Sequence, residues 1–388
     1  MVKIVESDPQ QRARTFAGEQ AVARSNGAAF PCPVSAHNEW DLLEEVLVGH
    51  VDDATIPSNH IAVTCNVPNA TAAVYPFFGG RRYPGIMTNP ARRELEEFIA
   101  ILEAEGVRVR RPDPQPFPNK FATPTWSSRG FTCACPRDSL LVIADEIIET
   151  PMAWRSRYFE TFAYRTLLRE YFAAGARWTA APKPQLDDDL YARDYRIPEV
   201  GALLHYVINE HEPVFDAADF VRCGRDLFVI RSNVTNALGI EWLRRHLGNG
   251  YRITEIETRC RQPMHIDTTF MPLAPGKLLV NPEYLDVSKL PSMFGGWDIL
   301  EAPEADPVEG KLLKLTSMCG RWLSMNVLML DEKRVVCERK QPSMIRALEE
   351  WGFEPIPCSF QHYAAFGGAF HCATLDIRRR GELQSYFD

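Results

Sequence analysis

The sequence predicts an α/β fold built from five similar modules around an axis, and three observations lead to this prediction. A short apolar hairpin, followed by a helical stretch and a final strand, recurs along the chain. Such a module cannot bury its apolar face alone, so modules must pack together, and five around an axis leave only short edges. Reactive side chains also recur at matching places in the modules.

The module at 138–182 shows the repeat most clearly. Its hairpin joins apolar runs at 139–143 and 146–149 across a short turn. Residues 157–175 carry apolar side chains at helical spacing, and a strand follows at 177–179. This order of two strands, one helix and one further strand is the template for the other modules.

Three further modules follow the same order at 219–258, 267–302 and 324–358, with polar or glycine-containing turns inside their hairpins. Their predicted elements are strands at 220–222 and 227–230, a helix at 237–247 and a strand at 251–256; a hairpin around Pro275-Gly276 and a strand at 297–300; and strands at 326–330 and 334–337, a helix at 343–351 and a strand at 354–357.

The first module is less regular than the others. Its opening strand at 43–48 contains two acidic residues, and a long loop at 51–90 precedes a helix at 91–105 and a strand at 107–109. The tail strand at 369–377 has no helix after it, so we expect it to pair with 43–48 and to close the ring. Without the repeat, the same elements would predict a two-layer α/β protein.

Composition and charge indicate a cytoplasmic protein without nucleic-acid or membrane partners. The formal net charge of −8 gives no counterion-release attraction to nucleic acid. No apolar stretch approaches the ~18 residues that span a bilayer, and the ten cysteines form no CxxC pair. Residues 1–30 are polar, rich in Ala and Gly and without periodicity, which predicts a flexible N-terminal arm. Residues 31–388 are expected to form a single domain.

Chemically reactive side chains open the first strand of several modules. They are Asp138; Asp216 and Asp219; His265 and Asp267; Ser324 and Asn326; and, in the tail after Gly367-Gly368, His371 and Cys372. If the modules surround one axis, these positions meet at one end of it, where reactants can be held together. The spacing of His265 and Asp267 predicts that both lie on one face of a strand.

Each of these residues also has a structural interpretation. A lone buried cysteine is usually core filler, but the glycine pair before Cys372 allows the close backbone approach that a ligand site needs. Metal ligation is the competing chemistry, through pairs such as Cys133-x-Cys135 and His371-Cys372. These pairs lack the usual zinc spacing, and the sequence contains no nucleotide-binding motif. It therefore predicts neither a metal nor a cofactor.

A series of ordered motifs extends along almost the whole chain. They are Cys32-Pro33-Val34-Ser35, Asn38-Glu39-Trp40-Asp41, Arg110-Arg111-Pro112-Asp113-Pro114, Pro136-Arg137-Asp138, Ala153-Trp154-Arg155-Ser156-Arg157, Phe215-Asp216-Ala217-Ala218-Asp219-Phe220, Met264-His265-Ile266-Asp267, Ser324-Met325-Asn326 through Val335, and Phe370-His371-Cys372. Together they resemble the arginine:glycine amidinotransferases of the guanidine-modifying (pentein) superfamily. The resemblance implies a five-bladed α/β propeller of ββαβ modules with pseudo-fivefold symmetry, which agrees with the repeat, and it makes residues 31–388 the catalytic domain.

The same resemblance implies a reaction. The chain would move the amidino group of L-arginine to an acceptor amine through an amidino-cysteine intermediate and release L-ornithine, without a cofactor. Its implied partners are these small molecules and a second copy of the chain in a homodimer.

At matching positions the resemblance implies a role for each reactive residue. Cys372 is the nucleophile, His265 is the acid/base, and Asp216 is the carboxylate that works with the histidine. Asp138 and Asp267 grip the guanidinium, which is planar and offers forked donors that match carboxylates. The other residues expected to bind substrate are Arg137, Met264, Tyr284, Cys319 and Gly320.

Two positions depart from the glycine-using members of the family. Tyr284 stands where those members have an arginine that grips a substrate carboxylate, and Cys319-Gly320 stands where they have a Ser-Ser pair. Both positions should contact the amino-acid end of a substrate. The acceptor is therefore left open between glycine and a larger or carboxylate-free primary amine, as in members that serve natural-product biosynthesis.

Two other functions fit the same residues. A hydrolase of the same superfamily would let water attack the intermediate and would form citrulline from arginine. A propeller that only binds guanidino compounds would need no thiol, so the intact set of Cys372, His265 and Asp216 favours an enzyme. Only the access of water or amine to the intermediate separates the hydrolase from the transferase.

Overall fold

Five three-stranded sheets of one design make up most of the fold in this computed structural model, which describes residues 32–308 and 317–387. In each sheet the middle strand is antiparallel to one neighbour and parallel to the other. The strands are β1 Leu42–Val48, β2 Arg108–Arg110, β3 Lys120–Ala122, β4 Ser127–Arg129, β5 Leu140–Ile143, β6 Glu146–Glu149, β7 Arg177–Ala180, β8 Phe220–Cys223, β9 Asp226–Val229, β10 Arg252–Glu255, β11 Phe270–Ala274, β12 Lys277–Val280, β13 Asp298–Glu301, β14 Leu328–Met329, β15 Arg334–Glu338, β16 Glu354–Cys358 and β17 Thr374–Arg380.

The strand order makes the five sheets equivalent. It is β17-β1-β2, β5-β6-β7, β8-β9-β10, β11-β12-β13 and β14-β15-β16, and β3 and β4 form a separate hairpin. The predicted pairing of the tail with the opening strand is confirmed, because β17 runs antiparallel to β1 with Val46 opposite Asp376. The last strand of the chain thus completes the first sheet.

The helices lie between the strands. They are α1 Ile61–Thr64, α2 Asn69–Ala72, α3 Tyr75–Phe78, α4 Gly85–Ala104, α5 Pro136–Ser139, α6 Arg165–Ala173, α7 Ala237–Leu247 and α8 Pro342–Glu350. Helix α7 has the predicted bounds, because Asn236 caps it by accepting a hydrogen bond from the backbone N–H of Gly239. Basic residues at 244–246 complement the helix dipole at its other end.

Three helical stretches differ from the prediction. Helix α4 begins at Gly85 instead of residue 91, and the predicted loop at 51–90 contains α1, α2 and α3. The stretch at 157–175 begins as two 3-10 turns, Arg155–Arg157 and Glu160–Tyr164, and becomes an α-helix only at Arg165. In the module at 267–302, 3-10 turns at Val287–Lys289 and Ser292–Phe294 occupy the place of the helix. Pro291 and the nearby glycines disfavour a continuous helix there.

The hairpins of the second and third sheets are buried along their whole length. Every residue of β5, β6, β8 and β9 is buried. Strands covered on both faces favour apolar side chains in both directions, and β5 is apolar throughout. The buried charged residues of the other three strands, Glu146, Glu149, Arg222 and Asp226, all have ion-pair partners. The buried first strands of these hairpins place the residues that precede them in the interior of the protein.

A buried network of ion pairs joins two of the sheets to helix α5 and to Glu39. Arg222 of β8 and Arg137 of α5 both pair with Glu39, at 2.8 and 3.1 Å, and both pair with Asp376 of β17. Arg379 adds a further pair with Asp376 at 2.9 Å. Burial alone would raise the pKa of Glu39, but Arg222 and Arg137 hold it well below its usual range. The network therefore stays charged in the interior.

Most of the chain belongs to one compact unit, as expected for a single domain. Residues Pro33–Asp388 form one compact unit. The arm expected at 1–30 lies outside the described residues. Among the residues that are described, no helix combines the length and apolar character needed to cross a membrane.

Candidate active site

Short turns immediately before the first strands of four sheets bring the reactive residues together. Helix α5 precedes β5 and carries Asp138, and a 3-10 turn at Ala217–Asp219 precedes β8 and follows Asp216. Corresponding turns precede β11 and β14. Because equivalent strands occupy equivalent places in their sheets, the residues before them face a common centre.

The Cys372 thiol lies buried between a hydrogen-bond donor and an acceptor. Its Sγ is 3.1 Å from Nδ2 of Asn326 and 3.4 Å from Oδ2 of Asp267, to which the thiol donates. Burial raises the pKa of this thiol well above its usual range, and the carboxylates of Asp267 and Asp138 add to the effect. The thiol is therefore protonated in the structure as it stands, and only its thiolate form would be reactive.

Asn326 fixes the loop that carries Cys372. Its Oδ1 accepts hydrogen bonds from the backbone N–H groups of His371 and Cys372, at 3.0 and 3.2 Å. Its Nδ2 donates to Asp267 at 2.6 Å as well as facing the sulfur. Asn326 was not among the predicted site residues, although its matching position in the repeat pointed to the same centre.

His265 is surrounded by carboxylates. Its Nε2 lies 3.2 Å from Oδ2 of Asp216, its Nδ1 lies 3.7 Å from Oδ1 of Asp138, and its backbone N–H donates to Asp219 at 2.9 Å. Burial alone would lower the pKa of His265, but Asp138, Asp216 and Asp219 raise it to about 10. The imidazole is therefore protonated at neutral pH and can serve as a general acid.

The expected strand placement of His265 and Asp267 is wrong. His265 immediately precedes a 3-10 turn at Ile266–Thr268, and β11 begins only at Phe270. The backbone of His265 has a φ of 63°, a left-handed conformation that non-glycine residues seldom adopt. The hydrogen bond from its backbone N–H to Asp219 accompanies this conformation. A strand prediction based on alternating residues assumes extended backbone and therefore misses it.

Arg157 anchors the carboxylate of Asp138. Its Nη1 donates to Oδ2 of Asp138 at 2.7 Å, and its Nε and Nη2 bind both oxygens of Glu160, at 2.7 and 2.5 Å. All three side chains are buried. Burial raises the pKa of Glu160 to about 7 although Arg157 opposes this rise. Arg157 is a further functional residue that the prediction omitted, although it lies in one of the ordered motifs.

Three carboxylates of the site each keep one buried oxygen without a hydrogen-bond partner in the described structure. These oxygens are Oδ1 of Asp138, Asp216 and Asp267. Unpartnered buried acceptors are costly, so a cationic ligand with several N–H donors would be strongly favoured here. A guanidinium has such donors in one plane, and two carboxylates can hold it with its carbon facing the sulfur.

A cavity of about 1450 Å³ gives access to this centre. Asp138, His265, Asp267 and Cys372 line it together with Asn326 and Arg157. The other predicted binding residues that line the same cavity are Met264, Tyr284, Cys319 and Gly320. The rings of Tyr284 and Trp322 pack edge to face at 6.4 Å, so this part of the wall is aromatic.

Arg137 was expected to bind substrate, but it lies outside the cavity. It is buried in the ion network, where its Nε donates to the carbonyl oxygens of His371 and Thr374 at 2.8 and 3.0 Å. Its two Nη atoms bind Glu39 and Asp376. Arg137 therefore supports the loop of Cys372 from behind and does not line the cavity.

Asp138, His265 and Cys372 also form the one three-donor set found among the described residues, with donor atoms within 4.8 Å of one another. Their protonation does not suit a metal. His265, with its pKa raised to about 10, and the Cys372 thiol, with its raised pKa, would both have to lose a proton before they could act as ligands.

Comparison with known proteins agrees with the geometry of the site. No family model matches the chain. It is 51% identical over 354 residues to the L-arginine:L-lysine amidinotransferase of Pseudomonas savastanoi pv. phaseolicola, covering 91% of this chain and 96% of the relative. It is 46% identical over 367 residues to the mitochondrial glycine amidinotransferase of Gallus gallus, covering 92% and 85%.

A solved structure gives the same result. The chain matches SxtG, an amidinotransferase from Microseira wollei in the saxitoxin biosynthetic pathway, with a TM-score of 0.88 and 55% sequence identity over 92% of this chain and 100% of that one. Similarity of this extent covers the α/β fold and almost the whole chain. The chain therefore belongs to the arginine amidinotransferase family of the guanidine-modifying (pentein) superfamily, and it is a transferase.

Proposed function

We propose that this protein transfers the amidino group of L-arginine to an acceptor amine. The observation that carries the proposal is the set of buried, unpartnered carboxylate oxygens around Cys372 and His265. They suit a guanidinium, and the thiol and imidazolium beside them suit attack on its carbon and protonation of its leaving nitrogen. The amidinotransferases to which the chain is similar support the same reaction.

The first half-reaction uses Cys372 as the nucleophile and His265 as the acid. The cationic guanidinium offsets the charges of Asp138 and Asp267, which help to keep the thiol protonated, so the thiol releases its proton to solvent through the cavity and becomes the thiolate. A bond forms between Sγ and the guanidino carbon, and the bond from that carbon to Nε of arginine breaks. His265 gives its proton to this nitrogen, and L-ornithine leaves. A cationic amidino-cysteine remains.

The second half-reaction reverses these roles. An acceptor amine attacks the amidino carbon while neutral His265 takes a proton from its nitrogen. The carbon–sulfur bond breaks, and a new guanidinium and the Cys372 thiolate result. Asp216, at 3.2 Å from Nε2, holds the imidazole through both steps. The reaction needs no cofactor, and it gives ping-pong kinetics.

The acceptor is glycine or another primary amine, and the cavity wall favours an amine other than glycine. Tyr284 and Cys319-Gly320 line the cavity where glycine-using relatives carry an arginine and a serine pair, so the side chains that would hold the carboxylate of a small amino acid are replaced. The relatives include an L-arginine:L-lysine amidinotransferase and an amidinotransferase of the saxitoxin pathway, which supports varied acceptors in this family. A deiminase that releases citrulline is the second function compatible with the same residues.

Three broader features belong to the same proposal. The five equivalent sheets close around one axis as a five-bladed α/β propeller, which the shared strand order and the β1–β17 pairing support. This propeller is one catalytic domain, and it acts as a homodimer. The protein works in the cytoplasm, where a reducing environment suits the free thiols from Cys65 onward.

Mass spectrometry of the protein with L-arginine and a panel of primary amines tests the proposal. We expect ornithine with one of the amines, and without amine an adduct of about 42 Da on Cys372 that the Cys372→Ala variant lacks. Citrulline in the absence of amine would show a hydrolase instead. If folded protein gave no ornithine, no citrulline and no adduct, the result would contradict both the transferase and the hydrolase reaction.

A further inference from the structure

A second buried histidine, His371, lies directly before the nucleophile in the chain. Its Nδ1 is 2.9 Å from Oδ2 of Asp267, and its Nε2 is 3.4 Å from Oε2 of Glu39. The side chain is 3% exposed and does not line the cavity. His371 thus contacts neither substrate nor sulfur through its ring, and the reaction described above does not use it.

The two oxygens of Asp267 have different surroundings. Its Oδ2 receives hydrogen bonds from His371, from Asn326 at 2.6 Å and from the Cys372 thiol at 3.4 Å. Its Oδ1 is buried without a partner in the described part of the chain, and Asp267 lines the cavity. Burial alone would raise the pKa of Asp267, but His371 lowers it, so the carboxylate stays ionised.

The ring of His371 is held from its far side. Glu39 is fixed by Arg222, whose Nε and Nη2 bind its two oxygens at 2.8 Å each. Arg137 adds a third contact to Glu39 at 3.1 Å. The backbone of His371 is fixed separately, by Asn326 and Arg137. Changes to the ring therefore leave the main anchors of this loop in place.

We infer that His371 is a positioning residue, which holds Oδ2 of Asp267 so that Oδ1 faces the substrate guanidinium. The inference rests on the proposed use of arginine. It assigns the effect to one ring nitrogen, Nδ1, because only this atom reaches Asp267. A carboxylate that loses this donor can rotate its free oxygen away from the cavity, and the guanidinium then loses one of its two clamps.

Two substitutions separate the two ring nitrogens. In His371→Asn the side-chain amide can occupy the position of Nδ1 and donate to Asp267. In His371→Gln it reaches the position of Nε2 and donates to Glu39 instead. We expect the affinity for L-arginine to fall about tenfold to a hundredfold in His371→Gln, as for loss of a hydrogen bond to a charged group, and to stay near the parent value in His371→Asn.

Isothermal titration with L-arginine, in a Cys372→Ser background that cannot turn over, measures both affinities. His246→Gln is the matched control, because His246 also pairs with a carboxylate, Glu146 at 3.0 Å, but lies outside the cavity. If His371→Gln lacks the parent circular dichroism spectrum, His371→Met, which also lacks the donor, replaces it and must weaken binding as much.

The outcomes discriminate between the alternatives. Equal losses in His371→Asn and His371→Gln would reveal a merely structural role and overturn the inference, as would unchanged affinity in His371→Gln. A Cys372→Ser parent that binds no arginine, with no ornithine from the unmodified enzyme, would count against the proposed function itself and overturn the inference with it.

Discussion

At the scale of single residues, the site depends on side chains that bind two partners at once. Asn326 anchors the loop through its oxygen and faces the sulfur through its nitrogen. Asp267 accepts from three donors on one oxygen and keeps the other free. A side chain used in this way has its rotamer fixed before the substrate arrives, so little reorganisation remains for the reaction.

Asn326→Asp separates the two tasks of this side chain. The carboxylate can still accept the two backbone N–H groups, but it no longer donates to the sulfur, and its charge opposes thiolate formation. We expect ornithine formation to slow by about a hundredfold or more, as when a donor to a developing anion is removed. Stopped-time assays of ornithine release measure the effect.

Ser324→Ala provides the control for this substitution. Ser324 lies in the same turn, outside the cavity wall, and its buried hydroxyl oxygen has no hydrogen-bond partner among the residues described. Its removal should leave the rate near that of the unmodified enzyme. A normal rate in Asn326→Asp would show that the amide makes no contribution to thiolate formation.

At the scale of elements, the sequence predicted the hairpins better than the turns that carry the chemistry. Strand pairs such as β5–β6 are marked by apolar runs on either side of a polar turn, and their predicted bounds hold to within a residue or two. The turn around His265 has no such mark, because its left-handed backbone depends on a hydrogen bond to Asp219, which is distant in the sequence.

Side-chain direction was equally hidden in the sequence. Arg137 and Asp138 are neighbours in α5, yet one points into the ion network and the other lines the cavity. Repeat position predicts where a residue's backbone lies, and the resemblance to a family adds roles at matching positions. Neither contains the partners, such as Glu39 and Asp376 for Arg137, that decide where a long side chain points.

Gly368, in the loop before β17, packs directly against Cys372. A Cβ atom at Gly368 would overlap Cys372 and lie 2.9 Å from its Sγ and 3.2 Å from Sγ of Cys135. We therefore expect Gly368→Ala to displace the sulfur and to lower the rate of amidino transfer by about a hundredfold or more. Alkylation of Cys372 and steady-state kinetics provide the measurements.

Gly250→Ala is the matched glycine substitution. A Cβ at Gly250 meets no atom within 4 Å, and this residue lies outside the cavity wall, in the 3-10 turn after α7. Its rate should equal that of the unmodified enzyme. Full activity in Gly368→Ala would show that the loop can move without disturbing the reaction.

At the scale of the whole molecule, the buried ion network ties the tail of the chain to helix α5 and to strand β8. Asp376 of β17 pairs with Arg137, Arg222 and Arg379. These three arginines are buried, so loss of the carboxylate would leave cationic charge without compensation in the interior. Such a loss is far more costly than loss of a pair at the surface.

Asp376→Ala should lower the free energy of unfolding by about 3–5 kcal/mol. Glu44→Ala, which removes the partly exposed partner of Arg378 and Arg380 on the same pair of strands, should lower it by about 1 kcal/mol or less. Denaturant unfolding followed by tryptophan fluorescence gives both values. Similar losses in the two variants would contradict the assigned role of the network.

The position of Cys372 in the closing segment also governs when a newly made chain acquires its activity. The ribosome produces the carboxylates, His265 and Asn326 before it produces Cys372, and β1 gains its antiparallel neighbour only once β17 has been made. A chain that stops before Cys372 lacks the sulfur and the strand that follows it. Catalysis through Cys372 therefore begins only after β17 has been translated and has docked against β1, and chains that stop earlier consume no arginine.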